Sequence, residues 1–174
     1  PVYGFSTKEA DMDEKLMPFF NYDDIFGTVV NRFLVQAVAD IPLTVYGNGG
    51  QTRGFLNLKD TLQCVELAVN SPPPSGDLRI LNQFTEQFSV SELAEKVKSA
   101  AKKVGLTVRI NSIENPRKEK EDHYYNACHS GLLDLGLKPH YLDEDTICEM
   151  LEKVVLHKIG IDKKKIFPRV KWAS

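Results

Sequence analysis

Residues 45–56 read Val45-Tyr46-Gly47-Asn48-Gly49-Gly50-Gln51-Thr52-Arg53-Gly54-Phe55-Leu56. Residues that favour strands stand at both ends of this segment, and glycines are concentrated between them. The glycines permit positive φ angles and let another group approach the backbone closely. Arg53 supplies a planar fork of donors that suits phosphate oxygens. The segment therefore predicts a short strand, a glycine-rich turn with an anion-binding arginine at its mouth, and a second strand.

An amphipathic helix is predicted just before this segment. It opens at Gly27-Thr28, where Thr28 is a suitable N-cap, and apolar residues recur at helical spacing as far as Ala39. The free N–H groups and the dipole of a helix N-terminus attract anions whatever the side chains are. Thr28 and Val29 are therefore candidates for an anion contact, and an ordinary N-cap explains them equally well.

Helices alternate with short strands along the chain, which predicts an α/β fold. One helix, residues 61–69, is expected to be capped by Asp60 and to bury Leu62, Val65, Ala68 and Val69. The other predicted elements are strands at Leu43–Tyr46, Phe55–Leu58, Leu78–Asn82 and Thr107–Ile113, and helices at Ser89–Val104, Ala127–Leu135 and from Asp143 or Glu144 to Lys158.

The composition is typical of a soluble globular protein. The chain has 174 residues, of which 42% are hydrophobic and 26% charged, enough for one domain with a core. Its formal net charge of -2 gives no reason to expect a nucleic-acid or membrane partner. No signal peptide or apolar run of about 18 residues is visible, and three widely spaced cysteines suggest a reducing compartment.

Further strings extend the pattern of residues 45–56. They are Asn82-Gln83-Phe84-Thr85-Glu86-Gln87-Phe88-Ser89, Asn115-Pro116-Arg117, Glu121-Asp122-His123-Tyr124-Tyr125-Asn126-Ala127 and Leu135-Gly136-Leu137-Lys138-Pro139-His140-Tyr141-Leu142. With the Gly-x-Gly-x-x-x-Arg signal, their order and spacing resemble the nucleotide-sugar epimerases and dehydratases of the extended short-chain dehydrogenase/reductase family. The resemblance runs from Tyr3 to about Trp172, and the later strings point to a branch of that family that uses sulfite.

The resemblance implies the C-terminal part of an NAD(P)-binding Rossmann-fold enzyme, mainly its substrate-binding domain. Residues 1–174 would form one nucleotide-sugar-binding region, in which short segments, about 53–82, return to the cofactor domain. The implied substrates are UDP-glucose and sulfite, the cofactor is NAD, and the full-length protein would be a homodimer. The compartment would be the cytoplasm of a prokaryote or the chloroplast stroma of a plant or alga.

Two motifs of the family do not occur in this chain. No Gly-x-x-Gly-x-x-Gly follows a predicted strand, and none of the six tyrosines has a lysine four residues later. In the family these elements lie upstream, in a dinucleotide-binding half that we expect to precede the sequence given. We therefore expect no catalytic residue in this chain and no activity from the chain alone.

The resemblance also implies roles for individual residues in holding a UDP-sugar. Arg53 and Arg117 would bind the diphosphate from two sides, and the helix N-terminus at Thr28 and Val29 would face it. For Arg117, pairing with a nearby glutamate is the alternative. Residues expected to flank the uracil are Thr44, Val45 and Tyr46, which an alternating strand explains equally well.

The remaining candidates lie on later segments. Gln83, Thr85, Glu86 and Gln87 gather where a strand gives way to a helix and would face the sugar or the sulfite route, unless they form only a capped, solvated loop. His123 would contact the ribose or the opposing domain; a metal site is not expected because no second histidine stands three or four residues away. Tyr3 would line the nicotinamide end of the cofactor.

Three alternatives remain open at this point. The parent protein could be another NAD-dependent nucleotide-sugar 4-epimerase or 4,6-dehydratase, which would not consume sulfite. It could be a non-catalytic protein that binds UDP-sugars. It could also be a structural interaction domain, in which case Arg53 and Arg117 would have no ligand.

Overall fold

The computed structural model describes residues 1–115, 127 and 129–167, and within them strands and helices alternate as the α/β prediction requires. The strands are β1 (Val2–Tyr3), β2 (Leu43–Tyr46), β3 (Thr52–Asn57), β4 (Glu86–Ser89) and β5 (Ile110–Ile113), and the helices are α1 (Lys8–Met12), α2 (Val29–Val38), α3 (Leu58–Asn70), α4 (Val90–Lys103), α5 (Ser130–Asp134) and α6 (Glu144–Leu156).

The strands form two separate sheets. β1 pairs in parallel with β3, and β3 pairs antiparallel with β4, so that Arg53 lies opposite Phe88. β2 pairs in parallel with β5, from Leu43 opposite Ile110 to Tyr46 opposite Ile113. The glycine-rich segment between β2 and β3 therefore carries the chain from one sheet to the other and does not close a hairpin.

Helices α2, α4 and α6 pack against one another and enclose most of the buried apolar side chains, which we call the main core. Thr28 caps α2 through a hydrogen bond from Asn31 N to Thr28 Oγ1, and Val30, Phe33 and Leu34 on this helix are completely buried. The predicted helix is confirmed, because both its cap and its apolar spacing are local signals.

Helix α4 also begins where its sequence predicts. Ser89 and Glu92 form a capping box: Glu92 N donates to Ser89 Oγ at 3.2 Å, and Ser89 N donates to Glu92 Oε2 at 2.7 Å. The helix ends after Lys103, and Gly105 follows with a φ of +77°. This cap fixes where strand β4 ends and the helix begins.

The prediction for α3 was wrong about where the helix starts and which residue caps it. The helix begins at Leu58 and is capped by Asn57, whose side chain accepts from Lys59 N at 3.0 Å, while Asp60 lies completely buried inside the first turn. Val65 and Val69 are exposed, at 56% and 72%. The described residues thus leave much of the predicted apolar stripe exposed, and its burial against a cofactor domain stays a prediction.

The segment after α3 also differs from its prediction. Residues 78–82 form no strand, and Leu78 and Ile80 are more than 80% exposed. A smaller cluster of buried side chains lies nearby, on β3, α3 and the α5 region: Leu56, Cys64, Leu132 and Leu137. We call it the small core. The exposed apolar residues of α3 and of residues 78–80 lie beyond it.

Candidate nucleotide-sugar site

A cleft of about 190 Å³ lies where α2 begins and β2 ends. The parallel pairing of β2 with β5 places Tyr46, the last residue of β2, beside the end of β5, from which Asn115 follows two residues later. Ligands commonly bind beyond the carboxyl ends of parallel strands. The cleft is lined by Asp24, Ile25, Gly27, Val29, Arg32, Tyr46, Gln51, Arg53, Val90 and Asn115.

The glycine-rich turn shapes one side of this cleft. Gly47 and Gly49 have φ angles of +61° and +72°, which favour glycine. Gly47 N donates to Ile113 O at 2.9 Å, and Ser91 N donates to Gly49 O at 3.0 Å. A Cβ on Gly49 would collide with Val45 and Ser91. The turn is thus fastened to β5 and to the start of α4, and this fixes the direction in which Gln51 and Arg53 leave it.

Arg53 and Val29 contribute different kinds of anion-binding group to the cleft. The Arg53 guanidinium donates from Nη1 to Thr52 O at 2.8 Å, which holds the side chain near the start of β3. Val29 is the first residue of α2, where the helix presents free N–H groups. A positive side chain and a helix N-terminus on one cleft can bind a diphosphate.

Tyr46 and Arg32 meet on the cleft wall. The Arg32 Cζ lies 4.7 Å from the centroid of the Tyr46 ring, and Arg32 Nη2 donates to Thr44 O at 3.5 Å. Gln51 Nε2 donates to Tyr46 O at 3.4 Å. The end of β2 is therefore held by side chains from α2 and from the glycine-rich turn.

The structure brings three of the residues proposed from sequence, Val29, Tyr46 and Arg53, into this cleft. Thr28 stands next to it as the cap of α2. Val45 is 3% exposed and belongs to the main core. Thr44 is 5% exposed, and its hydroxyl accepts from Gln36 Nε2 at 2.8 Å, so neither of these two side chains lines the cleft.

The candidates for sugar contacts lie outside the cleft lining. Gln83 is exposed, and Thr85 N donates to Phe55 O at 2.9 Å. Gln87 lies opposite Gly54 in the β3–β4 pairing. Because successive strand residues point to opposite faces, Gln87 projects from the sheet face opposite to that of Arg53.

Tyr3 is completely buried and does not line the cleft. Its hydroxyl donates to His140 O at 3.1 Å and lies 3.4 Å from Glu86 Oε2. Burial and the neighbouring Glu86 carboxyl raise the pKa of Tyr3. Burial also raises the pKa of Glu86, against the opposing effect of a hydrogen bond from Leu142 N at 2.7 Å.

The segment that contains His140 is held by a second buried carboxylate, Asp60. Asp60 accepts from His140 N at 2.8 Å, from Gln63 Nε2 at 3.0 Å, and lies 2.6 Å from His140 Nδ1. Asp60 and Glu86 thus fasten residues 138–142 to the sheet and to α3. We call this segment the fastened loop; it explains why Asp60 is inside α3 and not at its cap.

Arg117 and His123 lie outside the described residues, so their predicted contacts remain predictions. Within the described residues, no group of three or more His, Cys, Asp or Glu side chains could hold a metal ion. None of the helices described is long and apolar enough to cross a membrane.

Several cleft residues were not identified as site residues from sequence. Asp24, Ile25, Gly27, Gln51, Val90 and Asn115 all line the cleft. Gln51 could have been suspected from its place in the glycine-rich segment, two residues before Arg53. Asp24 and Asn115 come from segments remote in sequence, and the packing of α2 beside β2, together with the pairing of β2 with β5, brings them together.

The solved structures that align with this chain include two nucleotide-sugar 4-epimerases. UDP-N-acetylglucosamine 4-epimerase from Methanobrevibacter ruminantium aligns with a TM-score of 0.65 at 16% identity, over 90% of this chain and 44% of that one. UDP-glucose 4-epimerase from Thermus thermophilus, solved with NAD, aligns with a TM-score of 0.59 at 20% identity, over 92% and 45%. The chain has the C-terminal part of the extended short-chain dehydrogenase/reductase fold.

Sequence similarity is more specific than this fold. The chain matches UDP-sulfoquinovose synthase: the chloroplastic protein of Spinacia oleracea is 52% identical over 171 residues, 98% of this chain and 36% of that protein. The protein of Sulfolobus acidocaldarius is 44% identical over 174 residues, 99% of this chain and 44% of that protein. The chain thus spans less than half the length of these relatives. No protein-family model matches it.

Proposed function

We propose that this chain is the UDP-sugar-binding C-terminal part of a UDP-sulfoquinovose synthase, which makes UDP-sulfoquinovose from UDP-glucose and sulfite. The observation that carries the proposal is the identity of 52% and 44% to two such synthases over nearly the whole chain. The likeness to epimerases below 25% identity supports only the fold. The product would serve sulfolipid or sulfoglycan synthesis.

In this proposal the cleft binds the nucleotide. Arg53 would bind the diphosphate through charge-assisted hydrogen bonds, each contributing roughly 1.5–3 kcal/mol. The start of α2 at Thr28 and Val29 would bind it through backbone N–H groups. Tyr46 would lie against the uracil, with the backbone of Thr44 and Val45 behind it. Binding the nucleotide in this way would raise the reaction rate, because it fixes the position of the sugar.

The other contacts predicted from sequence are part of the proposal without support from the cleft. Arg117 would complete the hold on the diphosphate and His123 would reach the ribose. The candidates for the sugar side are Gln83, Thr85 and Gln87. Since Gln87 projects from the opposite face of the sheet to Arg53, a sugar contact by Gln87 would need another surface than the cleft.

The described residues do not fit the pyrophosphate of NAD. A dinucleotide site needs several glycines where a strand passes into a helix. Strand β3 passes into α3 at Asn57-Leu58 and β4 into α4 at Ser89-Val90 without a glycine, and the link from β1 to α1 contains one glycine, Gly4. Tyr3, the candidate for a cofactor contact, is completely buried. We therefore propose that other residues of the longer protein bind NAD.

The exposed apolar stripe of α3 supports the proposal that this helix packs against another domain of a longer protein. Leu62, Val65 and Val69 are 46%, 56% and 72% exposed on one helix. Apolar patches of this kind are usually covered. We propose that residues of about 53–82 pack against the cofactor-binding domain, as the resemblance implies. A homodimer, and a prokaryotic cytoplasm or chloroplast stroma, belong to the same proposal.

Product analysis tests this function. The full-length protein that carries this chain is incubated with UDP-glucose and radiolabelled sulfite, and nucleotide sugars are separated by chromatography and mass spectrometry. Label in a nucleotide sugar is expected. Conversion of UDP-glucose to UDP-galactose without uptake of label would overturn the proposal in favour of a 4-epimerase. Arg53→Ala should weaken UDP-glucose binding strongly, whereas Arg109→Ala, on an exposed residue outside the cleft lining, should not.

A further inference from the structure

We infer that Arg32 is a positioning residue that holds the Tyr46 ring as a flat wall against the pyrimidine of the bound nucleotide. The inference rests on the proposed function, because it presupposes that the cleft binds UDP. Its own basis is the contact between the two side chains, which is independent of Arg53 and of the diphosphate.

The contact has the geometry of a cation over an aromatic face. The Arg32 Cζ lies 4.7 Å from the Tyr46 ring centroid and 5.6 Å from that of Phe33. Cations within about 6 Å of a ring centroid are attracted by the electrons of the ring face. A guanidinium is also planar, so it can lie against the ring in a way that an ammonium cannot. Both Arg32 and Tyr46 line the cleft.

Arg32 is itself held by the interior of the protein. Its Nη2 donates to Thr44 O at 3.5 Å. Thr44 is fixed in turn by the completely buried Gln36, which donates from Nε2 to Thr44 Oγ1 at 2.8 Å and accepts from Thr44 N at 3.1 Å. Gln36 lies one turn after Arg32 on α2. The Arg32 guanidinium, which extends from α2, thus contacts a carbonyl of β2 that is itself held in place.

Anchoring matters because binding a base against a mobile ring would cost the conformational freedom of that ring. Tyr46 ends β2, and its carbonyl accepts from Gln51 Nε2 at 3.4 Å. With Arg32 against its ring, the side chain is ordered before the ligand arrives. The Tyr46 ring that the planar pyrimidine contacts then already has its bound conformation. The resulting gain in affinity concerns the base and not the diphosphate.

This separation between base and phosphate gives the experiment its readout. In the full-length protein, dissociation constants are measured calorimetrically for UDP and for inorganic pyrophosphate. The variants are Arg32→Lys, Tyr46→Leu and the double variant, with Arg53→Lys as the phosphate control and Arg109→Lys as the surface control. Thermal unfolding confirms that each variant is folded.

Arg32→Lys keeps the charge and loses the planar contact. We expect it to weaken UDP binding by roughly three- to tenfold, between the values for exposed and for fully desolvated cation–ring contacts, and to leave pyrophosphate binding unchanged. Tyr46→Leu should weaken UDP binding too, and the double variant should be no worse than the poorer single variant, since both remove one interaction. Arg53→Lys should weaken both ligands.

Four results would overturn the inference. Equal losses for UDP and pyrophosphate in Arg32→Lys would make Arg32 a diphosphate ligand, and losses that add in the double variant would make the two residues independent. An unchanged affinity of Arg32→Lys for UDP would remove its role while leaving the proposed function intact. Wild-type protein that does not bind UDP would overturn the proposed function, and this inference with it.

Discussion

Helices α2 and α3 are both amphipathic, yet they bury their apolar faces to very different extents. On α2, Phe33 and Leu34 are completely buried in the main core. On α3, only Cys64 among the apolar residues is buried, and Val65 and Val69 are more than half exposed. The first helix has its packing partners, α4 and α6, within the described residues; the second has few.

This difference separates two kinds of structure in one chain. The elements around α2 form a closed unit that contains the cleft. The elements around α3 carry an apolar face that the described residues leave largely exposed. Amphipathic spacing is the same signal in both cases, so the comparison teaches that periodicity identifies the face to be buried but not the surface that buries it.

The largest effect is expected from Leu34→Ala in the main core. Removing a completely buried leucine side chain loses its transfer free energy and leaves a cavity, which together cost about 2–5 kcal/mol. Urea denaturation of the full-length protein and the variant measures the loss. Leu62→Ala on α3, where the residue is 46% exposed, is the matched comparison, and a greater loss at Leu62 than at Leu34 would reverse the contrast between the helices.

A second effect is expected from Asp60→Ala, which unfastens the loop at residues 138–142. It leaves the donors of His140 and Gln63 without their buried acceptor, at a cost of roughly 1–3 kcal/mol. Hydrogen exchange at the His140 amide should accelerate in proportion. Asp77→Ala, at an exposed aspartate, is the control and should stay within about 0.5 kcal/mol. Unchanged exchange at His140 would show that Asp60 does not hold the loop.

A smaller effect, visible only through its pH dependence, is expected at Glu86. Burial raises the pKa of Glu86, so the folded protein holds this proton more tightly than the unfolded chain. Stability should therefore fall as the pH rises from the ordinary glutamate range through the raised pKa. The free energy of unfolding of Glu86→Gln, measured across this pH range, should lack this decrease.

Glu92 gives the opposite sign and serves as the control for Glu86. The hydrogen bonds from Ser89 lower the pKa of Glu92, so its contribution is present above the ordinary range and is lost as the pH falls. Glu92→Gln should therefore lower the free energy of unfolding at neutral pH. At acid pH the wild type and the variant should differ less in this free energy. The same change of slope in both variants would contradict the assignment for Glu86.

The smallest expected effect tests directly whether the exposed stripe of α3 is covered. Val69 on α3 and Leu156 on α6 are 72% and 79% exposed. If the rest of the longer protein covers α3, Val69→Ser should cost about 1 kcal/mol in the full-length protein, while Leu156→Ser should cost less than about 0.5 kcal/mol. Thermal unfolding of both variants and of the wild type measures these two losses of stability. Equal and negligible losses would indicate that the α3 stripe stays exposed.

Local signals predicted the parts of this fold that depend on neighbours in sequence. The Thr28 cap and the Ser89–Glu92 capping box gave the starts of α2 and α4, because a cap is made by residues three apart. The strand proposed at residues 78–82 failed, since a short apolar run contains no information about its pairing partner. Asp60 was misplaced because its partner, His140, lies 80 residues away.

The cleft was predicted in part for the same reason. Val29, Tyr46 and Arg53 were identified from a helix start and a glycine-rich turn, each readable within a few residues, and from the family resemblance. Asn115 joins them only through the pairing of β2 with β5. The contact of Arg32 with Tyr46 needs the packing of α2 beside β2, which no spacing in the sequence specifies.

The pairing of β2 with β5 also has a kinetic consequence. Leu43 lies opposite Ile110, so β3, α3, β4 and α4 all fall within the loop that this contact closes. Contacts of such long range form slowly, because the entropy of closing the loop must be overcome before the contact stabilises anything. Tyr46 and Asn115 come together only when that closure is complete. During synthesis and refolding, the capacity to bind a nucleotide should therefore appear after most of the helical structure, as one of the last properties the chain acquires.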